Sequence, residues 1–136
     1  MAKSKEMNEM DKKVITTDRV APPSGTYSHA IQVGNLLFVA GQVALDHNRN
    51  LVGKGDSAAQ TKQCMENIQA LLEAAGATWE NVVKLNIFVL NMADRAVMGE
   101  ARLPFLKQPY PTSTLVEVKQ LANPDFLVEI EAVAAL

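Results

Sequence analysis

Cysteine and histidine are almost absent from this chain of 136 residues. The one cysteine, Cys64, has no partner for an internal disulfide, and a cysteine metal cluster is excluded with it. The two histidines, His29 and His47, lack the spacing that metal ligands show. We therefore expect neither a metal ion nor a cofactor, and we interpret the three side chains as structural or solvated groups.

Long hydrophobic runs and a strong charge of one sign are absent too. No apolar segment approaches the ~20 residues that a membrane-spanning helix needs, and no signal-peptide pattern is found. The 13 Lys and Arg residues nearly balance the 15 Asp and Glu residues, which does not indicate a nucleic-acid surface. Hydrophobic residues make up 48% of the chain, as is typical of globular domains. We expect a cytoplasmic protein without a membrane partner, and nucleic acid is not the expected ligand.

The beginning of the chain predicts a flexible arm followed by one domain. Residues 1–13 mix lysines with acidic residues and show no apolar periodicity, so the predicted domain occupies residues 14–136. Inside that domain, two β-prone runs at 28–33 and 36–43 are separated only by a Gly-Asn dipeptide. Both residues of the dipeptide tolerate positive φ, which predicts a β-hairpin.

An amphipathic helix is predicted over residues 57–75. Its apolar residues recur at helical spacing and predict one buried face: Cys64, Ile68, Leu71, Leu72 and Ala75. Asp56 or Ser57 can accept hydrogen bonds as the N-cap, and Gly76 can adopt the left-handed conformation that ends a helix.

The remaining patterns predict an α+β fold. Apolar and β-branched residues predict further strands, Pro104 closes a second helix, and these elements fall at 14–17, 82–90, 93–103 (the helix), 113–118 and 127–134. In the strand at 82–90, Val83, Leu85, Ile87 and Val89 are expected on one face. The order β-β-β-α-β-α-β-β favours a mixed β-sheet with two helices packed on one face. Its other face would then need a second copy of the chain to cover it.

Three segments together resemble the RidA (YjgF) family. They are GTYSHA at 25–30, FVAGQV at 38–43 and PYPTSTLVEVKQLANPDFLVEIEAV at 109–133. The resemblance implies a chorismate-mutase-like fold and a homotrimer whose sheets close into a barrel-like core. It also implies ligand clefts between subunits, in which the best-known members hydrolyse reactive enamines and imines.

Two carboxylates two residues apart are the candidates for the chemistry. Glu129 and Glu131 share one face of their predicted strand with Val133. Carboxylates among apolar residues are costly unless they are paired or wetted, so this face is a cavity, an interface or an edge. One interpretation gives both residues structural hydrogen bonds between subunits. The resemblance instead implies that Glu129 lines the cleft and orients a water.

The resemblance also places Tyr27 and Gly41 in the cleft. Tyr27 follows a glycine in the family's G-x-Y-S block, although a tyrosine packed at a strand start would fit the sequence equally well. Gly41, in the Ala-Gly-Gln stretch, is expected to let whatever fills the cleft approach the backbone closely.

One position departs from the deaminases of the family. Their Y-P-A-R-S block carries an arginine that is thought to hold the substrate carboxylate, and Ser113 occupies that position here. A hydroxyl cannot replace a bidentate cation, so generic 2-aminoacrylate deaminase activity is not expected. Ser113 and Thr114 would instead offer hydroxyls to the ligand. Arg102, the nearest basic residue, either reaches back into the cleft or is a solvated helix-end residue.

Three functions are compatible with these residues. The first is hydrolysis of a reactive enamine or imine with altered substrate choice, carried by Glu129 and Tyr27. The second is a non-catalytic trimer that binds a small metabolite through Ser113 and Thr114. The third, the endoribonuclease or translation-inhibitor role attributed to some family members, is disfavoured by the balanced charge and the lack of paired histidines.

Overall fold

The computed structural model describes residues 10–136 and contains one six-stranded sheet with two α-helices. The elements in chain order are β1 (Lys12–Ile15), β2 (Ala30–Val33), β3 (Leu36–Gln42), α1 (Ser57–Ala74), β4 (Val82–Val89), α2 (Arg95–Arg102), β5 (Thr112–Glu117) and β6 (Val128–Ala135). Short 3-10 turns precede β4 and flank α2. The predicted element order and the α+β class are confirmed.

The sheet is mixed, as predicted. Its strand order is β1-β2-β3-β6-β4-β5, and every neighbouring pair is antiparallel except β4 and β5. The hairpin between β2 and β3 turns at Gly34, whose φ is 58°. The first strand begins two residues earlier than the sequence indicates, because Lys12 and Lys13 pair with β2. Residues 1–9 of the predicted arm lie outside the described residues.

Helix α1 packs along one face of the sheet and forms the centre of the core. Asp56 caps it by accepting a hydrogen bond from the Ala59 N–H at 3.0 Å, and Gly76 beyond its end has a φ of 78°. Four of the five predicted core positions of α1 are fully buried; Ala75 is the C-cap and is partly buried. They pack against the alternate buried residues of β3, β4 and β6.

The predicted alternation of β4 fails at one residue. Val82 is buried and Val83 is 44% exposed, although Val83 was expected to face the core with Leu85. The register with β6 shifts between Val82 and Lys84, which indicates a bulge. The extra residue moves the side chains before it to the opposite face of the sheet. The predicted alternation therefore holds only from Leu85 onward.

The face of the sheet opposite the helices is uncovered in the single chain. Phe38 is 47% exposed there, with Leu36 beside it at the edge of the same strand. Lys84, Asn86 and Glu131 share this face, so it is mixed in character rather than purely apolar.

Candidate functional site

A cavity of about 200 Å³ lies where β3 and β6 separate, between the loop that precedes β2 and the chain that follows β3. Its wall includes three predicted site residues, Tyr27, Gly41 and Glu129, and also His29 and Arg49. We call this space the Glu129 cavity. The fold therefore brings together residues that are about 100 positions apart in the chain.

A bulge in β3 creates the space for Glu129. Val39 pairs with Ala132 and Gln42 with Ile130, so three steps along β3 match two along β6. At Gly41 the side chain of Glu129 lies directly against the backbone. A Cβ at this position would be 2.6 Å from Glu129 Oε1 and 2.9 Å from its Cγ. The absence of a side chain at Gly41 therefore makes room for Glu129, and close approach by a group that fills the cleft stays a prediction.

The two carboxylates of β6 have different surroundings. Glu131 accepts a hydrogen bond from Asn86 Nδ2 at 2.9 Å on the uncovered sheet face. Glu129 has no hydrogen-bond partner within residues 10–136 and is about half-buried. Burial, and then the negative charge of Glu131, raise the pKa of the Glu129 carboxyl above its ordinary value of 4.5. A raised pKa makes Glu129 a stronger proton acceptor once it is ionised.

Tyr27 stands at the mouth of the cavity with half of its surface exposed. Its hydroxyl oxygen accepts a hydrogen bond from the Ser24 N–H at 3.4 Å, which leaves the hydroxyl proton to donate. The ring packs edge-on against His29 with ring centres 5.7 Å apart. Tyr27 therefore offers the cavity a donor whose position is set by two contacts.

His29 is held in one orientation by two hydrogen bonds. Gln42 Nε2 lies 3.1 Å from His29 Nδ1, and His29 Nε2 lies 2.7 Å from the Ala21 carbonyl oxygen. Because the amide nitrogen is a donor, Nδ1 accepts and the Nε2–H donates to Ala21. Both ring nitrogens are thus used in supporting the cavity wall, as the structural interpretation of His29 expects.

The remaining predicted site residues lie away from this wall. Ser113 and Thr114 pair with Leu85 and Asn86 along the outer strand β5, where both are exposed. Arg102 ends α2, and its Nε is buried without a hydrogen-bond partner. Burial lowers the pKa of the Arg102 guanidinium below its ordinary value. The single chain does not bring these three residues to the Glu129 cavity, so their role in a cleft shared between subunits stays a prediction.

Arg49 is a charged residue of the cavity wall that the sequence did not mark as a site residue. It lies in a polar loop after β3, and nothing in its neighbours' pattern marks it as a site residue. Its guanidinium donates a hydrogen bond to the Pro22 carbonyl oxygen at 2.6 Å. The loop that carries Arg49 thus contacts Pro22, which lies 27 residues earlier in the chain.

Three larger hollows on the described part of the chain include none of Tyr27, Gly41 and Glu129. A larger hollow of about 610 Å³ lies along the exposed side of α1 and includes Arg19 and His47, but none of the predicted site residues. Among residues 10–136, no group of three or more His, Cys, Asp or Glu side chains is placed to hold a metal ion. No described helix is both long and apolar enough to cross a bilayer.

The fold and the cavity define a small α+β protein with one half-buried carboxylate beside an uncovered sheet face. Residues 16–136 match the family model described as Endoribonuclease L-PSP. The chain belongs to this family, the RidA (YjgF) family.

Its relatives include two named deaminases. A RutC family protein of Pyrococcus abyssi is 42% identical over 92% of this chain and 98% of its own. A 2-iminobutanoate/2-iminopropanoate deaminase of Dermatophagoides farinae and the 3-aminoacrylate deaminase RutC of Acinetobacter baylyi are each 33% identical over 92% of this chain, and over 97% and 98% of their own. RidA of the Antarctic bacterium Psychrobacter sp. PAMC 21119 superposes with a TM-score of 0.85 at 36% identity, over 91% of this chain and 99% of its own.

Proposed function

We propose that this protein hydrolyses a small reactive imine, or the enamine that tautomerises to it, in the Glu129 cavity. The observation that carries the proposal is the state of Glu129: half-buried, without a hydrogen-bond partner in the described chain, and with a raised pKa. Because burial disfavours the ionised form of this carboxyl group, the carboxylate readily accepts a proton. The deaminase names of two relatives suggest the reaction class.

Glu129 would act as the general base on a water molecule. The carboxylate takes one proton from the water, and the hydroxide oxygen bonds to the imine carbon while the imine nitrogen takes a proton from solvent. The resulting carbinolamine then loses ammonia: its hydroxyl proton returns to solvent, the carbonyl forms, and the C–N bond breaks as nitrogen takes up the proton held by Glu129. The sum is imine plus water giving ketone plus ammonia. Tyr27, at the cavity mouth, has a hydroxyl proton available to position the water or the nitrogen.

The volume of the cavity favours a very small substrate. Sites for drug-sized ligands span about 300–1,000 Å³. The Glu129 cavity, at about 200 Å³, is smaller than these and suits a metabolite of a few carbon atoms. The iminobutanoate and aminoacrylate in the relatives' names are of this size.

We also propose that the protein is a homotrimer that buries the uncovered sheet face. Phe38 and Leu36 are large apolar side chains on this side of the sheet, and both are exposed in the single chain. Association would cover them and bring Ser113 and Thr114 of one subunit near a neighbour. Sedimentation velocity should give one species of three times the chain mass of 14.8 kDa. A clean monomer would contradict a site shared between subunits.

A coupled assay tests the proposed reaction. An amino-acid oxidase generates 2-iminobutanoate or its smaller and larger homologues, semicarbazide traps the imine that has not been hydrolysed, and less trapped product means faster hydrolysis. We expect the protein to lower the trapped product and Glu129→Gln to abolish that effect. With an active relative as positive control, no effect across the panel would reject hydrolysis and favour the non-catalytic binding trimer.

A further inference from the structure

Arg49 places a guanidinium on the wall of the Glu129 cavity. The resemblance in the sequence implies an arginine at the position of Ser113 in the family's deaminases, and Ser113 lies on the outer strand β5. Arg49 lies on the cavity wall together with Glu129, in the loop between β3 and α1. An arginine is therefore absent at position 113, where the resemblance implies one. Arg49 supplies a guanidinium at a position where the sequence predicted none.

The loop that carries Arg49 is tightly held. The Asp46 carboxylate accepts hydrogen bonds from the Asn48 and Asn50 N–H groups, each at 2.9 Å. The Arg49 N–H donates to the Asp46 carbonyl at 2.9 Å, and the Asp46 N–H donates to the Asn50 carbonyl at 3.0 Å. An isolated bridge between Leu45 and Leu51 closes the loop. These bonds fix the backbone at Arg49, and with it the direction in which the Cα–Cβ bond leaves the loop.

Arg49 occupies a backbone conformation that suits it poorly. Its φ of 64° makes it the one residue other than glycine with positive φ in the described part of the chain. Such a conformation costs an L-residue roughly 1–2 kcal/mol, and glycine or asparagine is the usual occupant. Asparagine stands on both sides, at 48 and 50, yet arginine fills the strained position. Strain of this kind is concentrated at functional sites.

The guanidinium is anchored at one end and retains donors at the other. One terminal nitrogen donates to the Pro22 carbonyl at 2.6 Å. A guanidinium has five N–H donors, and no other bond of this group is found within residues 10–136. Because this bond already restricts the side chain, less conformational entropy is lost when the remaining donors bind a planar anion.

We propose that Arg49 binds the carboxylate of the substrate, in place of the arginine that is absent at position 113. This inference rests on the proposed imine hydrolysis, and it narrows the substrate to small imines or enamines that carry a carboxylate. Arg49 would hold the carboxylate at the cavity mouth while Glu129 faces the imine carbon. The alternative is that Arg49 only stabilises its loop, through the hydrogen bond to the Pro22 carbonyl.

The test uses Arg49→Gly, because glycine fits a φ of 64° without strain and removes the cation. We expect the melting temperature to be unchanged or higher. We expect KM for 2-iminobutanoate to rise about 10- to 100-fold, the usual loss for one charge-assisted contact, with a smaller change in kcat. Arg49→Lys should recover part of the loss. Asn48→Ala, which keeps the backbone N–H that Asp46 accepts and leaves the cation in place, should leave KM unchanged.

A binding measurement that needs no turnover separates this inference from the proposed reaction. The probes are 2-oxobutanoate and its uncharged amide, titrated by NMR into the wild type and Arg49→Gly. We expect weaker binding of the acid to the variant and equal binding of the amide to both. Equal loss of acid and amide, or no loss of either, would overturn the carboxylate role even if the wild type hydrolyses imines. Selective loss of the acid without turnover would reject the hydrolysis and keep the anion site.

Discussion

The contact between Gly41 and Glu129 makes a prediction that separates catalysis from stability. In Gly41→Ala the new Cβ would lie 2.6 Å from Oε1, 2.8 Å from Cδ and 2.9 Å from Cγ of Glu129. Real Cβ contacts are longer than 3.0 Å, so the side chain must move. Turning the carboxylate alone gives no relief, because Cγ is also too close. The whole side chain must shift away from the backbone of β3.

The shift should cost far more activity than stability. A misplacement of about 1 Å in a reacting group can lower the rate about 100-fold. Gly41 does not have positive φ, so alanine meets no backbone strain there. Alanine would gain about 0.4–1 kcal/mol by restricting the unfolded chain, which offsets part of an overpacking cost of about 1–3 kcal/mol. We expect kcat/KM for imine hydrolysis to fall about 100-fold and the free energy of unfolding to fall by less than about 3 kcal/mol.

Gly99→Ala is the matched control for this experiment. Gly99 lies in α2, where a Cβ would meet nothing within 4 Å and φ is not positive. This variant should gain up to about 1 kcal/mol from helix propensity and keep wild-type activity. Full activity in Gly41→Ala, measured by semicarbazide trapping and urea unfolding, would refute the idea that Glu129 acts from its position against the β3 backbone.

Four further predictions concern the pH profile of activity, the stability of Glu129→Gln, the missing arginine and the helix cap. Because the pKa of Glu129 is raised, activity should be lost as pH falls at a point above 4.5, which a pH profile of kcat/KM measures. The same shift means that ionisation opposes folding, so Glu129→Gln should be more stable than wild type at pH 7.5, and urea unfolding should show this gain vanish below pH 4.5. Ser113→Arg should raise hydrolysis of 2-iminopropionate, and no gain would show that other residues also block this substrate. Asp56→Ala should remove the α1 cap and cost about 1 kcal/mol in urea unfolding, whereas an unchanged midpoint would contradict that role.

Much of the fold follows from local patterns in the sequence. The buried face of α1, its cap and its terminating glycine obey helical spacing, which acts over a few residues. The bulge at Val83 escaped prediction because alternation assumes an unbroken register. A bulge depends on the partner strand β6, whose pairing cannot be derived from the residues of β4 alone.

The candidate site also depends on contacts between distant segments, and the sequence indicated only some of its residues. The resemblance to a family pointed to Tyr27, Gly41 and Glu129, which line one cavity. The two carboxylates differ because Asn86, on the neighbouring strand, donates a hydrogen bond to Glu131. The position of Arg49 depends on the contact of its loop with Pro22, in a distant segment. Contacts between distant segments carry no local signal, so the sequence left both open.

Comparing the two carboxylates of β6 in the same assay tests most directly whether Glu129 is the base. Glu129→Gln removes the proposed base, while Glu131→Gln keeps an acceptor for Asn86 and removes only the neighbouring charge. We expect Glu129→Gln to lose imine hydrolysis. We expect Glu131→Gln to retain activity, with the acid limb of the pH profile moved to lower pH. Wild-type rates in Glu129→Gln would show that Glu129 is not the base.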